Sequence, residues 1–244
     1  MNTVTIAKLL DPILKVEHLC RNFGGVKALD NVDLAISSGS ITGLIGPNGS
    51  GKTTLFQCIS GVDRGATGRV WLAGKSITGL RPHRIYRNGL ARTFQLSRVF
   101  PQLTVLENLL VASTSKLNQT ERALDLLRQV KLESYAQALG ASLSYGQQKL
   151  IEFLRVLMSD PRLILLDEPA AGVNPTLRAV LWDMVKRLNA RGVTFMIVEH
   201  NMQVIEELCS KVIVLAEGKV LIEGNFREIR NNKQVLDAYF GRAR

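Results

Sequence analysis

Cysteine is scarce and unpatterned. Cys20, Cys58 and Cys209 are odd in number, widely separated and never in C-x-x-C spacing. Neither a zinc site nor a disulfide frame is expected; free buried thiols in a reducing compartment are. The three histidines are equally dispersed, so no metal cluster is expected either. Long apolar runs are missing: residues 163–166 and 212–216 are strand-sized and far too short to cross a bilayer. The first ten residues lack a charged region followed by a long apolar block and a small-residue cleavage site, so no signal peptide is expected. Any membrane role has to come through a partner. The chain carries 31 Lys and Arg against 21 Asp and Glu, a net charge of +10. Its basic residues are scattered, with a mild concentration at Arg81, Arg84, Arg87 and Arg92 and no basic run interleaved with aromatics. Nucleotide phosphates or an anionic inner leaflet explain such a surface as well as nucleic acid does. With 244 residues, 46% hydrophobic and 21% charged, the chain is an ordinary globular sequence. It can bury one full core and carry an inserted lobe.

What is there is Gly46-Pro47-Asn48-Gly49-Ser50-Gly51-Lys52-Thr53-Thr54, directly after the apolar run Ile41-Thr42-Gly43-Leu44-Ile45. It fits G-x-x-x-x-G-K-[ST], with a buried-type strand before it and a helix-like segment after it. Glycines let the backbone curl so that successive N–H groups point inward at phosphate oxygens. The following helix aims its positive dipole end at the same anion. Lys52 reaches the terminal phosphates, and the Thr53 hydroxyl completes a Mg²⁺ shell otherwise made of phosphate oxygens and water. A chance match in a chain this long is on the order of one in a hundred. The segment is read as a nucleotide site.

Residues 13–19 and 26–36 alternate apolar and polar, which predicts strands of a half-exposed sheet, with 21–25 as the turn between them. A turn at 65–68 leads into a short strand at 69–72, and 90–95 reads as a strand ending in Gln95. The pattern from 103 to 139 is helical. Thr104 caps 105–111 with Glu107 in the capping-box position, and Thr120 precedes a helix over 121–130. This stretch is expected to be an inserted subdomain. Leu143-Ser144-Tyr145-Gly146-Gln147 opens another helix to about 157. Residues 162–169 form an apolar strand ending in two carboxylates, Pro175 starts a helix, and 193–198 is a strand leading to Glu199 and His200. Asn201 caps the next helix, 212–216 and 220–223 pair as a hairpin around Glu217-Gly218, and 225–240 is mostly helical. Strands alternating with helices predict a mainly parallel α/β core.

Asp167 and Glu168 fall at the carboxyl edge of that core, where such sheets place their ligands. Asp167 suits outer-shell support of Mg²⁺; Glu168, pointing the other way along the strand, suits polarising a water against the terminal phosphate. The alternative is a carboxylate pair capping the turn before Pro169. Gln95 carries an amide able to touch Mg²⁺ or the attacking water, or is a polar strand end. His200 offers a ring nitrogen to phosphate, or is a solvated structural residue. Phe23 offers a face to adenine, or anchors a small core. Ser144 and Gln147 form an S-x-x-Q capping box, yet with Gly146 they also make a second anion-type helix start. Two such starts make sense if two copies face each other, each lending Ser144 and Gly146 to the other's nucleotide.

Taken in order, Gly46 to Thr53, Gln95, Leu143 to Gln147, the strand ending in Asp167-Glu168, and His200 resemble the nucleotide-binding subunits of ABC transporters over essentially the whole chain. The resemblance implies an α/β P-loop NTPase with an N-terminal antiparallel β subdomain and an inserted helical subdomain at about 96–158, the remainder (1–95 and 159–244) forming the core. It implies ATP and Mg²⁺ as cofactors, with Lys52 and Thr53 in the Walker A site, Gln95 in the Q-loop, Asp167 and Glu168 closing Walker B, and His200 as the switch histidine. Phe23 becomes the adenine-stacking aromatic. Tyr145 stands where glycine is usual and Asn174 where aspartate is common. Those two departures, with Ala91-Arg92-Thr93-Phe94-Gln95 and Glu228-Ile229-Arg230-Asn231-Asn232, look like the importers of branched-chain amino acids. The expected partners are integral membrane permease subunits, a second ATPase chain (self or paralogue) and, indirectly, a periplasmic or lipid-anchored solute-binding protein, at the cytoplasmic face of the inner membrane. Nucleic acid is not expected. Urea, amide or other amino-acid uptake, an envelope lipid exporter, and a soluble ATPase acting on nucleic acid or ribosomes remain alternatives.

Overall fold

In the computed structural model, residues 12–93, 99–114 and 117–240 are described. The chain opens with two long antiparallel strands, β1 (Pro12–Phe23) and β2 (Val26–Ser37), followed by β3 (Ile41–Ile45) and helix α1 (Lys52–Ile59). Next come β4 (Thr67–Leu72), the short β5 (Lys75–Ser76), α2 (Pro82–Arg87) and β6 (Leu90–Arg92). Helices α3 (Val105–Leu110), α4 (Gln119–Gln129) and α5 (Tyr145–Leu157) form a helical layer, with two 3-10 turns before α5. The chain then alternates through β7 (Leu163–Asp167), α6 (Pro175–Ala190), β8 (Thr194–Val198) and α7 (Met202–Leu208). It closes with the hairpin β9 (Lys211–Ala216) and β10 (Lys219–Gly224) and helices α8 (Phe226–Arg230) and α9 (Lys233–Phe240).

Two sheets result. One is antiparallel, in the order β2-β1-β4-β5; the other runs β10-β9-β3-β8-β7-β6 and is parallel except at the β9–β10 hairpin. Strands β3, β7 and β8 are buried along their whole length. A strand covered on both faces has no polar side to show, which is why these read as unbroken apolar runs. Alternate residues serve different cores. Leu163 and Leu165 pack with the antiparallel sheet and with Leu55, Phe56 and Ile59 of α1, whereas Ile164 and Leu166 pack with Leu150, Phe153 and Leu154 of α5.

The first hairpin differs from its expected boundaries. β1 does not stop before Arg21 but runs on to Phe23, which pairs with Val26, so only Gly24 and Gly25 turn. Register shifts near His18 and Asn31, both at positive φ, break the alternation that would have shown the continuous strand. Helix α4 begins one residue before Thr120, after Asn118 in the left-handed region, so Thr120 is not its cap. Helix α2, with proline in its first turn, was not expected. The Thr104–Glu107 capping box is formed as expected.

One buried side chain ties the loop before α3 to that helix. Asn108 accepts from the Phe100 N–H at 2.8 Å and donates to the carbonyls of Phe100, Leu103 and Thr104 at 2.9–3.2 Å. Asn108→Leu would strand these groups in a buried site, and a loss of about 3 kcal/mol of unfolding free energy is expected. Denaturant titration checks it; a midpoint unchanged from wild type would show that the loop is held by other contacts.

Candidate active site

The loop at residues 46–51 is shaped from behind. A Cβ on Gly46 would lie 2.0 Å from the Leu215 carbonyl oxygen, and one on Gly51 would lie 2.5 Å from that of Ala28, so both positions require glycine. The β9–β10 hairpin braces the loop: Gly218 N–H donates to the Ser50 carbonyl at 3.0 Å, and Asp30 N–H donates to the Gly218 carbonyl at 2.9 Å. Burial pushes the Tyr239 phenol up, while a hydrogen bond with the Gly46 backbone opposes that shift, so the last helix touches the loop as well. Pro47, Asn48 and Gly49 rim the loop and are partly or fully exposed, Ser50 is buried, and Thr53 and Thr54 open the first turn of α1.

Lys52 is only 8% exposed, and its Nζ donates to the carbonyls of Gly46 at 2.8 Å and Pro47 at 2.9 Å. Burial lowers its pKa, and the charges of Glu168 and Asp167 oppose that shift, which places both carboxylates within electrostatic reach of the ammonium. Asp167 is 1% exposed and gripped by Arg92, whose Nη2 lies 2.9 Å from Oδ2. Its N–H also donates to the Thr93 hydroxyl at 3.3 Å. The Arg92 grip was not foreseen; the only signal was a basic residue at a strand end facing an acidic one.

Glu168 departs from its expected geometry. The strand ends at Asp167, and Glu168 sits at φ 48, so a left-handed turn rather than strand alternation sets its direction. A non-glycine residue held there stores strain, a recurrent feature of active sites. Its Oε1 meets His200 Nε2 at 2.9 Å, so the structure brings together the carboxylate and imidazole singled out from sequence. Behind them Glu199 is 9% exposed, and burial raises its pKa. Glu199 accepts from His200 N–H at 3.2 Å and is hydrogen-bonded also by the Ala170 and Asn201 backbones, which joins the turn after β7 to the loop after β8.

Ser144, Gly146 and Gln147 lie elsewhere. Ser144 caps α5 in a reciprocal box with Gln147, and both line a hollow of about 430 Å³ with Asn174, Pro175, Thr176 and Leu177. No loop residue lines that hollow. A Cβ on Gly146 would meet Leu177 at 2.9 Å, so close packing of α5 on α6 is a second reason for that glycine. Tyr145 lies against Gly172, and Asn174 caps α6 by accepting from Leu177 N–H at 3.0 Å. Phe23 is 47% exposed at the end of β1, with the Arg21 guanidinium over its ring. Gln95 lies outside the described residues.

The residues fit a polyphosphate and a hard divalent cation. Among the described residues no three of His, Cys, Asp and Glu converge on a metal position. Mg²⁺ would be held by nucleotide oxygens and water, with Thr53, exposed at the helix start, and the Asp167 carboxylate in the outer shell, as the oxygen groups among the described residues. A loop of N–H donors on β3, with carboxylates at the end of the next strand but one, defines a P-loop nucleoside triphosphatase.

Comparison with known proteins narrows the class. The family model described as ABC transporter matches residues 29–171. The chain is 39% identical to the probable branched-chain amino acid transport ATP-binding protein LivG of Archaeoglobus fulgidus, over 94% of this chain and 95% of that one. It superposes on MJ1267, an ATP-binding cassette of an ABC transporter in its ADP conformation, with a TM-score of 0.84 and 35% identity over 95% of this chain and 99% of that one. It also matches MJ0796, a dimeric cassette bound to ADP and Pi in a post-hydrolysis state, with a TM-score of 0.78 and 28% identity over 88% of this chain and 99% of that one. The chain belongs to the ABC transporter family, as one of its ATP-hydrolysing cassettes.

The buried Glu199 gives a pH prediction. Its folded pKa lies above the unfolded one, so as pH rises past the ordinary glutamate range the unfolded state releases a proton that the folded state retains, and stability falls. Glu199→Gln removes that dependence. Thermal melts should show the variant gaining on wild type between acid and neutral pH; parallel curves would show that Glu199 ionises normally.

Proposed function

We propose that this cassette powers an importer of branched-chain or other hydrophobic amino acids, working as one of a pair of ATPase chains under two membrane permease subunits. The observation that carries the catalytic part is the rim itself, where Lys52, Asp167 and the Glu168–His200 pair gather beside the phosphate loop. The likeness to LivG over nearly the whole chain supports the substrate class.

The loop N–H groups of residues 46–51 and the Lys52 ammonium bind the phosphates, with Thr53 and Thr54 at the helix start. Mg²⁺, when bound, neutralises charge on the phosphate oxygens, and Thr53, Gln95 and Asp167 are the residues that would hold it. Glu168 accepts a proton from the attacking water, and His200 holds that carboxylate in position through its 2.9 Å contact. Phe23 stacks on adenine. Ser144, Gly146 and Gln147 have no nucleotide of their own, consistent with a head-to-tail pair in which they face the partner's phosphates. The dimeric state of MJ0796 is in keeping with this.

The permease docks, on this reading, in a cleft of about 1040 Å³ lined by Val62, Phe100, Val111, Arg87 and Arg92. Three of these are exposed large hydrophobics, and Arg92 is the residue that grips Asp167. A membrane subunit seated there touches the active site through one side chain. The chain then lies at the cytoplasmic face of the membrane, and a solute-binding protein acts only through the permease. Among the described residues no helix is long and apolar enough to cross a bilayer.

Glu168→Gln should leave ATP binding within about twofold of wild type and lower turnover by at least about a hundredfold, read by equilibrium binding and phosphate release. Wild-type turnover would remove Glu168 from the mechanism. Isolation of the tagged chain from gently solubilised membranes should recover polytopic membrane proteins, with a second ATPase chain if the pair is mixed. Ribosomes or nucleic acid recovered in their place would overturn the importer.

A further inference from the structure

Phe23 has two ring faces, and the protein has already used one of them. The Arg21 guanidinium carbon lies 4.2 Å from the ring centroid. The guanidinium is itself backed by chain: a Cβ on Gly65 would fall 2.8 Å from its Cζ and Nη1. It is also pinned in plane. Arg21 Nε donates to Asp63 Oδ2 at 2.7 Å, and Nη1 donates to the Asn22 carbonyl at 2.8 Å. The second oxygen of Asp63 accepts from Gly65 N–H at 2.8 Å, and Asp63 N–H donates to the Gln57 carbonyl of α1 at 3.1 Å. Gly65, Arg21 and Phe23 therefore form three successive leaves, anchored to the helix that starts in the phosphate loop.

We propose that Arg21 is a positioning residue for the nucleotide base: it closes one face of Phe23, fixes the ring's tilt, and leaves the other face as the single stacking surface for the purine. This rests on the reading of Phe23 as the base platform. An exposed phenyl ring at a strand end otherwise samples several rotamers, and ordering it would cost affinity each time a base bound. A guanidinium over the far face removes that freedom in advance. It also draws electron density from the ring, which favours offset stacking with an electron-rich purine. The Asp63 link to Gln57 ties the height of the platform to α1, so base and phosphate subsites keep their spacing.

The test is a double-mutant cycle on the full chain, with ATP and inorganic tripolyphosphate as the two probes. Arg21→Met keeps the aliphatic stem and removes the planar charge; Phe23→Ala removes the platform; Arg21→Lys restores a cation. Arg21→Met should raise the KM for ATP roughly three- to tenfold with kcat unchanged, leave tripolyphosphate binding as in wild type, and add little in the Phe23→Ala background. Arg21→Lys should recover part of the loss. If Phe23→Ala leaves ATP binding untouched, the base-platform reading itself fails and this inference falls with it. If Phe23→Ala weakens ATP and Arg21→Met does not, the platform stands and the role of Arg21 is overturned. If Arg21→Met weakens ATP and tripolyphosphate equally, Arg21 acts as a general charge or fold residue, and the proposal is likewise overturned.

Discussion

Three parallel strands buried on both faces set the geometry of everything else. Because β3, β8 and β7 are neighbours with matched register, Leu44 lies beside Val198, and Val198 beside Asp167. The chain leaving each strand therefore emerges at one edge. From β3 comes the phosphate loop, from β8 the turn to His200, and from β7 the two carboxylates. The β9–β10 hairpin then braces the loop, and a left-handed turn at Glu168 aims its carboxylate. Once the apolar side chains of these strands are packed, a donor-rich loop, the Glu168 carboxylate and the His200 imidazole come to one rim.

That arrangement explains how a polar site survives at the rim of an apolar core. Lys52 is buried without becoming an orphan, since loop carbonyls hold it and two carboxylates face it. Asp167, almost fully enclosed, is matched by Arg92. Removing one member of such a pair leaves the other charge uncompensated in a low-dielectric site, which makes these positions far less tolerant than the exposed ion pairs elsewhere on the surface.

Much of this was legible in the sequence, because the sheet strands announce themselves as apolar runs and the phosphate loop as a fixed spelling. The capping boxes at Thr104 and Ser144 were legible for the same reason: they depend on residues three apart. What the sequence hid is long-range. The grip of Arg92 on Asp167 joins residues 75 positions apart, and the pinning of Arg21 by Asp63 joins residues 42 apart. Neither leaves a periodic trace. Local irregularity hid the rest. The positive φ values at His18 and Asn31 blurred the first hairpin, and the one at Glu168 redirected a side chain that strand alternation would have aimed elsewhere.

The bracing of the phosphate loop by the β9–β10 hairpin bears on how the molecule is made. Residues 46–51 are translated before two of the groups that shape them, the Leu215 carbonyl and the Gly218 N–H, which follow more than 160 residues later. Strand β3 likewise waits for β8 and β9 before it has a neighbour on either side. Long-range pairings of this kind form late and slowly. A growing chain thus carries its nucleotide-binding signature without its brace until the β9–β10 hairpin has been made, and nucleotide capture becomes a mark of a cassette whose hairpin is in place.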